Sequence, residues 1–142
     1  MQLAAYLLYS LHMLLIGAYT GAATYLISIA RSYFMQSKWR ITRGWGACAV
    51  LCAMQVLALL FTWGGWVSVL PVVANVITNI ACYSNNALTI RKAMIFGNSP
   101  LFLVYNIIVG SWAGTIDELI TIGSAVFSIA RFGWKELDKT QE

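Results

Sequence analysis

The chain has 142 residues, of which 60% are apolar and 13% aromatic but only 10% charged. A soluble domain usually carries about a quarter charged residues, so this composition excludes a water-soluble globular protein. The formal net charge of +4 comes from Lys and Arg residues in short loops and at helix ends, which argues against a nucleic-acid-binding face. We therefore predict a single all-α polytopic membrane domain over residues 1–142.

Six apolar stretches follow one another along the chain, each long enough to cross a hydrocarbon core of about 30 Å. They predict six transmembrane helices, roughly at residues 2–17, 19–35, 45–63, 67–84, 90–109 and 112–133. All six tryptophans fall at the predicted ends of these spans, at the headgroup level that the indole ring prefers. The remaining residues, 134–142, are predicted to form a short cytoplasmic tail.

The connectors between the spans alternate between basic and neutral, the basic ones being 36–44 and 85–92. Short loops rich in Lys and Arg stay cytoplasmic, so both termini are expected in the cytoplasm. Arg31 and Arg131, at the inner ends of the second and sixth helices, are expected to anchor this topology by reaching the headgroups. A cleaved signal peptide ending near Gly21 is the alternative for the first stretch, but no positive charge precedes Arg31.

An internal repeat appears when the chain is shifted by 93 residues, which aligns 14–29 with 107–122. Both copies place an aromatic residue between two glycines four positions apart, at 17–21 and at 110–114. Both copies are predicted to run outward and then back inward, which makes the repeat parallel. The second copy is a complete unit of three helices, whereas the first has only two. A chance match between two apolar segments is the alternative.

Several short motifs follow one another over nearly the whole chain: LHMLLIGAYTG (11–21), IAR (29–31), LPVV (70–73) and NIIVGSWAG (106–114), together with Glu118 and the pair at 131–132. In their order and spacing they resemble the YgjV family of bacterial inner-membrane proteins. The resemblance implies a bacterial inner-membrane location and a layout similar to the SWEET, PQ-loop and PnuC carriers of small solutes. Family members usually begin with one more helix. We therefore expect one side of the bundle to be open to lipid or covered by a second copy in a homo-oligomer.

Polar side chains within the predicted spans are the candidate site residues, because polar groups inside a bilayer are costly. Asn75 and Asn79 share one face of the fourth helix, one and two turns after Pro71. Proline frees a backbone carbonyl and lets a helix bend, and Pro100 marks a second expected bend. With Asn106 of the fifth helix, the two amides are predicted to line a solute pathway. The alternative is that they only hold helices together.

Two ionisable side chains, His12 and Glu118, complete the predicted pathway. His12 is the only histidine and lies on the first helix, where it either joins a quasi-symmetric polar pair beside Asn106 or hydrogen-bonds a neighbouring helix. Asp117 and Glu118 are the only acids before the tail. Glu118 is the better candidate for coupling solute movement to protons, since the family resemblance includes it. The alternative is a capping box from Thr115 to Glu118 that only stabilises the helix start.

Other classes of function lack the residues that they need. Cys48, Cys52 and Cys82 form no CxxC pair and have no histidine partner, so we expect no metal, no cofactor and no structural disulfide. One histidine without an acid nearby in sequence offers no basis for enzymatic acyl transfer. The leading hypothesis is a small-solute transporter that works by alternating access. The alternative is a non-transporting membrane component that binds or supports a protein partner.

Overall fold

The computed structural model of the protein describes residues 2–139, with the side chains of all of these except 2, 3, 87 and 134–139. Over these residues the chain forms helices and turns, and no strand. The six helices, in chain order, are α1 (Gln2–Leu15), α2 (Tyr19–Gln36), α3 (Trp45–Phe61), α4 (Val69–Tyr83), α5 (Ala87–Ala93, a π turn at Met94–Asn98, and Ser99–Val109) and α6 (Trp112–Lys139). The predicted all-α class is confirmed.

Three of these helices are long and apolar enough to cross a membrane: Trp66–Tyr83, which is α4 with its preceding 3-10 turn, Leu88–Val109 and Trp112–Gly133. Shorter apolar segments lie at Ala4–Leu15 and Trp45–Phe61. The fold is therefore an all-helical bundle with at least three helices of membrane length. The topology with six spans stays a prediction.

The helix boundaries follow local signals in the sequence. Trp45 and Trp112 are the first residues of α3 and α6. Helix α5 begins earlier than predicted, because the Asn86 side chain accepts hydrogen bonds from the N–H groups of Leu88 and Thr89 and caps the helix there. Helix α6 extends beyond its predicted end, across a kink at Gly133 whose φ is 71°.

Both predicted helix bends concern prolines near the start of a helical segment. Pro71 is the third residue of α4, where a missing backbone N–H leaves no intrahelical bond unmade. Pro100 is the second residue of Ser99–Val109 and lies two residues after the end of the π turn at Met94–Asn98. Proline has no backbone N–H and so cannot bond to the carbonyl one turn earlier, and a π turn is one irregularity found in helices at such places. The irregularity in α5 therefore lies one turn before Pro100.

Helices α2 and α4 form the centre of the bundle. Helix α2 packs against α1, α3 and α4, and α4 packs against α3 and α5. Helix α6 packs against α5, and much of its remaining surface is exposed and apolar, as at Leu119, Ile120 and Phe127. The main core joins four helices through Met13, Ala22, Tyr25, Ala74, Phe102 and Tyr105.

The turns that join α1 to α2 and α5 to α6 have the same backbone geometry. Gly17 has φ 76° and Gly110 has φ 75°, the left-handed conformation that ends many helices. The next residue in each turn, Ala18 or Ser111, donates its N–H to the carbonyl five positions earlier at 2.8 Å. The two turns that match in the sequence therefore also match in their local backbone geometry.

Replacement of either turn glycine is expected to strain the backbone. We expect Gly17→Ala and Gly110→Ala each to lower the free energy of unfolding by about 1 kcal/mol. A Cβ atom at either position meets no atom within 4 Å, so crowding contributes nothing. Unfolding of the purified protein in detergent measures the loss, and Gly123→Ala, in open space on α6, is the control. A loss at only one of the two turns would contradict their equivalence.

Candidate functional site

A cavity of about 340 Å³ lies among α1, α2, α4, α5 and α6, and we call it the Arg31 cavity. Ser28, Arg31 and Asn75 contribute its polar lining from α2 and α4, whereas Asp117 and Glu118 contribute carboxylates from α6. Its volume is at the lower end of the range of small-molecule sites, about 300–1,000 Å³. The cavity thus brings a cation and two acids of the membrane domain to one space.

Arg31 lies on the face of α2 that packs against α4 and is only 7% exposed. Its Nη1 atom donates to Oδ1 of Asn79 at 3.0 Å and, more weakly, to Oδ1 of Asn75 at 3.5 Å. Ser28 Oγ donates to the same Asn75 oxygen at 2.9 Å. The prediction that Arg31 reaches the headgroups is wrong, because two amide oxygens one turn apart on α4 hold the guanidinium inside the bundle. Both of these partners are neutral, so they orient the charge without cancelling it.

Arg131, in contrast, is exposed near the other end of α6. Its guanidinium carbon lies 5.5 Å from the centroid of the Phe132 ring. The two arginines that match in the sequence therefore lie in different surroundings.

Aromatic rings cover the part of the Arg31 cavity near α1. The rings of Tyr9 and Tyr25 stack with centroids 5.5 Å apart, and Phe102 lies at the same distance from Tyr25. The carboxylate of Asp117 interacts with the Tyr9 hydroxyl. A space with charged groups and aromatic faces suits a small solute that has polar ends and an apolar body.

Glu118 is buried, at 9% exposure, and interacts with the side chain of Ser99. The interpretation of Thr115 to Glu118 as a capping box is wrong. Ser111 caps the helix instead, since its Oγ accepts the N–H of Gly114 at 3.3 Å, and Thr115 Oγ1 donates back to the Ser111 carbonyl at 2.9 Å. The start of α6 is thus already capped, so its stability gives no reason for an acid at position 118.

The other predicted pathway residues lie outside the lining of the Arg31 cavity. Asn79 contacts it only through Arg31, and its own Nδ2 is buried without a hydrogen-bond partner among the described residues. His12 Nε2 lies 3.1 Å from Ser111 Oγ, at the turn between α5 and α6. Asn106 is fully buried at the closely packed contact with Gly114. Asn75 and Glu118 are therefore the two predicted residues that share the cavity.

Neither amide atom of Asn106 has a hydrogen-bond partner in the described part of the chain. A buried amide in this condition is costly, and the hydrogen bonds of the alternative, in which Asn106 holds helices together, are absent among these residues. The role of Asn106 in a solute pathway stays a prediction. Its close neighbour is Gly114, where a Cβ atom would lie 2.7 Å from the Asn106 amide.

A second cavity of about 430 Å³ lies at the end of the bundle formed by the α1–α2 and α3–α4 turns, and we call it the Tyr19 cavity. Its lining includes Thr20 and Thr62, whose hydroxyls lie 2.9 Å apart. Tyr105 lines the Tyr19 cavity, whereas Phe102, one turn away on α5, lines the Arg31 cavity. Lining residues of the two cavities thus lie one turn apart on α5, and we call the side chains between the cavities the separating layer.

The separating layer depends on close approach of helix backbones at Gly21. The N–H of Gly21 donates to the Tyr105 hydroxyl at 3.0 Å, and a Cβ atom at Gly21 would lie 2.9 Å from that ring. Met13 and Ala74, both fully buried, complete the packing. A larger residue at position 21 would have to displace Tyr105.

Three side chains that the sequence argument did not select are prominent in the structure. Ser28 and Arg31 are three positions apart on α2, which places them on one helix face, and this spacing was visible in the sequence. Gln55 is fully buried on α3, and neither of its amide atoms has a partner among the described residues. Gln55 could have been selected from the sequence, because it is a lone amide in an apolar helix.

Metal binding has no basis in the described side chains, among which no group of three His, Cys, Asp or Glu residues is close enough to hold an ion. The three cysteines, Cys48, Cys52 and Cys82, are free.

The helices of membrane length and the apolar outer surface define an integral membrane protein. Residues 1–136 match the model of the YgjV family, described as bacterial inner membrane proteins, and the chain belongs to this family. The family predicted from the motifs is confirmed, whereas the likeness to SWEET, PQ-loop and PnuC carriers stays a prediction. No curated protein and no solved structure matches the chain.

Proposed function

We propose that the protein moves a small polar solute across the bacterial inner membrane by alternating access, with the Arg31 cavity as the solute site. The observation that carries the proposal is the pair of cavities, since the Arg31 and Tyr19 cavities are separated by little more than one turn of α5. In an alternating-access carrier, a thin layer of this kind closes one side of the site while the other side is open.

The charges in the Arg31 cavity support a solute site more than a purely structural role. An arginine inside a membrane bundle is costly, and such residues mark ion and substrate pathways. Among the described side chains, the hydrogen-bond partners of the Arg31 guanidinium are neutral amides, so an anionic group of a solute would neutralise it. Asp117 and Glu118 line the same cavity and suit a cationic or hydrogen-bond-donating group. The favoured solute is therefore a small zwitterion with an apolar body.

The proposed motion separates the two equivalent helix hairpins, α1–α2 and α5–α6, at their contact through Gly21 and Tyr105. Glycine lets Tyr105 approach α2 closely, and the motion breaks the Gly21–Tyr105 hydrogen bond, the His12–Ser111 contact and the packing of Phe102 on Tyr25. In this proposal all six helices cross the membrane as a parallel repeat with both termini in the cytoplasm. Glu118 couples solute movement to protons.

Accessibility of a thiol in the Arg31 cavity tests alternating access. In a chain whose native cysteines are replaced by alanine, Ser28→Cys places a near-isosteric thiol in the cavity lining. We expect this thiol to react with a membrane-impermeant thiosulfonate added to either side of sealed membrane vesicles. The control is Arg40→Cys, at an exposed position in the turn before α3, which should react from one side only.

Two outcomes contradict the proposal. Reaction of the Ser28→Cys thiol from one side only would mean that the layer between the cavities does not open. Failure to react from either side, with Arg40→Cys reacting normally, would mean that the cavity excludes water. Either result would favour the alternative of a non-transporting membrane component that supports a protein partner.

A further inference from the structure

A crevice of about 340 Å³ lies between the first half of α5 and the second half of α6, and we call it the Arg91 crevice. It adjoins the Arg31 cavity, since Met94, Ser99 and Thr121 line both. Its walls are largely apolar and include Ile90, Met94, Ile95, Ile122, Ala125 and Ile129. Arg91 lines one end of it. We infer that this crevice binds one anionic phospholipid, with the phosphate at Arg91 and an acyl chain along the apolar walls.

The charge at one end of the crevice identifies the headgroup. Arg91 Nη1 is buried and has no hydrogen-bond partner among the described residues. A guanidinium N–H that is removed from water without an acceptor is costly, and phosphate oxygens are acceptors that match its geometry. Basic pockets between membrane helices are a recognised way of binding acidic lipid headgroups. The orphan donor therefore favours an anionic lipid over a neutral one.

The length of the crevice identifies the apolar part of the ligand. On α5 its lining runs from Ile90 to Ser99, and on α6 it runs from Ile129 back to Thr121. Nine residue steps on α5 and eight on α6, at 1.5 Å each, give lengths of about 14 Å and about 12 Å. One leaflet contributes half of the hydrocarbon core, or about 15 Å. The crevice thus accommodates a chain that starts at the headgroup and ends near the midplane.

The local shape of α5 explains why a space exists at this place. The π turn at Met94–Asn98 interrupts the regular helix between the two ends of the crevice. Within that turn, a Cβ atom at Gly97 would lie 2.9 Å from Ile77 Cγ2, so α5 is held close against α4. An α5 drawn towards α4 leaves room on its opposite side, towards α6. The crevice is built by the backbone and does not depend on transport.

Lipid retained through purification tests the inference. The full chain is purified in detergent from membranes that contain phosphatidylglycerol, and the phospholipid that stays bound is identified by native mass spectrometry. We expect one bound phosphatidylglycerol per chain. Added phosphatidylglycerol should raise the unfolding temperature more than added phosphatidylcholine. In Arg91→Gln, phosphatidylglycerol should bind about fivefold more weakly, as expected for the loss of one basic residue near a lipid surface.

Two further variants separate the crevice from general surface charge. Arg40→Gln removes a basic residue that is exposed and distant in sequence from the crevice, so it should leave lipid retention unchanged. Ala125→Leu fills the crevice and should reduce retention, whereas Ser124→Leu, on the exposed side of the same turn, should not. Equal retention of phosphatidylglycerol by the wild type and Arg91→Gln would overturn the inference. So would equal stabilisation by the two lipids, or stabilisation by glycerol phosphate alone, which would indicate a soluble ligand.

Discussion

Gly114→Ala is expected to destabilise the protein by about 1–3 kcal/mol, the usual cost of overpacking a well-packed site. The added Cβ atom would lie 2.7 Å from the amide carbon and nitrogen of Asn106, which is fully buried. The free energy of unfolding in detergent measures the loss. Gly123→Ala on the same helix, where a Cβ atom meets nothing within 4 Å, is the matched control and should be neutral or slightly stabilising.

A second substitution should rescue this variant. Asn106→Ala shortens the side chain that blocks the new Cβ atom, and it also removes two buried amide atoms that lack partners among the described residues. We expect the double variant Gly114→Ala/Asn106→Ala to lie within about 1 kcal/mol of the wild type, because neighbouring substitutions that share one contact are not additive. Additive losses would show that the contact between positions 106 and 114 does not cause the destabilisation.

Arg31→Gln is expected to make the electrostatic potential of the Arg31 cavity more negative, because it removes the positive charge from a lining that also holds Asp117 and Glu118. In the Ser28→Cys background, the reporter thiol lies one helical turn from position 31. Loss of the positive charge should slow the reaction with a negatively charged thiosulfonate by about tenfold, as expected for unit charges about 6 Å apart in a partly hydrated site. The reaction with a positively charged thiosulfonate of similar size should become faster.

The matched control for Arg31→Gln is Arg131→Gln, since Arg131 is exposed on α6 and does not line the cavity. It should leave both reaction rates unchanged. Equal slowing of the negatively and positively charged reagents by Arg31→Gln would indicate a collapsed cavity and would contradict an electrostatic role. The ratio of the two reaction rates therefore distinguishes a change in the charge of the cavity from a change in its structure.

The sequence predicted the helices well because each of them has a local signal. Apolar stretches, end-located tryptophans and the glycine turns mark five of the six helices within about three residues, the usual scatter of such boundaries. The sixth helix, α6, starts as predicted but continues past Gly133 to Lys139. The family was also predictable, because its motifs have a fixed order along the chain.

The candidate site was predictable only in part, because it depends on how each helix is rotated about its axis. Asn75 and Glu118 were selected as polar groups within apolar spans, and both line the Arg31 cavity. Arg31 was assigned to the headgroups, since an arginine near a helix end has two favourable directions. Packing of α2 against Asn75 and Asn79 decides between them, and no local pattern in one sequence contains that information. The aromatic rings that cover the cavity near α1, those of Tyr9, Tyr25 and Phe102, likewise come from three different helices.

The partners that hold Arg31 in place are separated from it by 44 and 48 residues in the chain. At synthesis rates of about 5–20 residues per second, the ribosome completes α4 roughly 2–10 s after Arg31 has been made. During that interval the guanidinium has neither amide oxygen available, and an arginine near a helix end then has only water or lipid headgroups as partners. The contacts that hold Arg31 between α2 and α4 therefore form only after α4 has been synthesised.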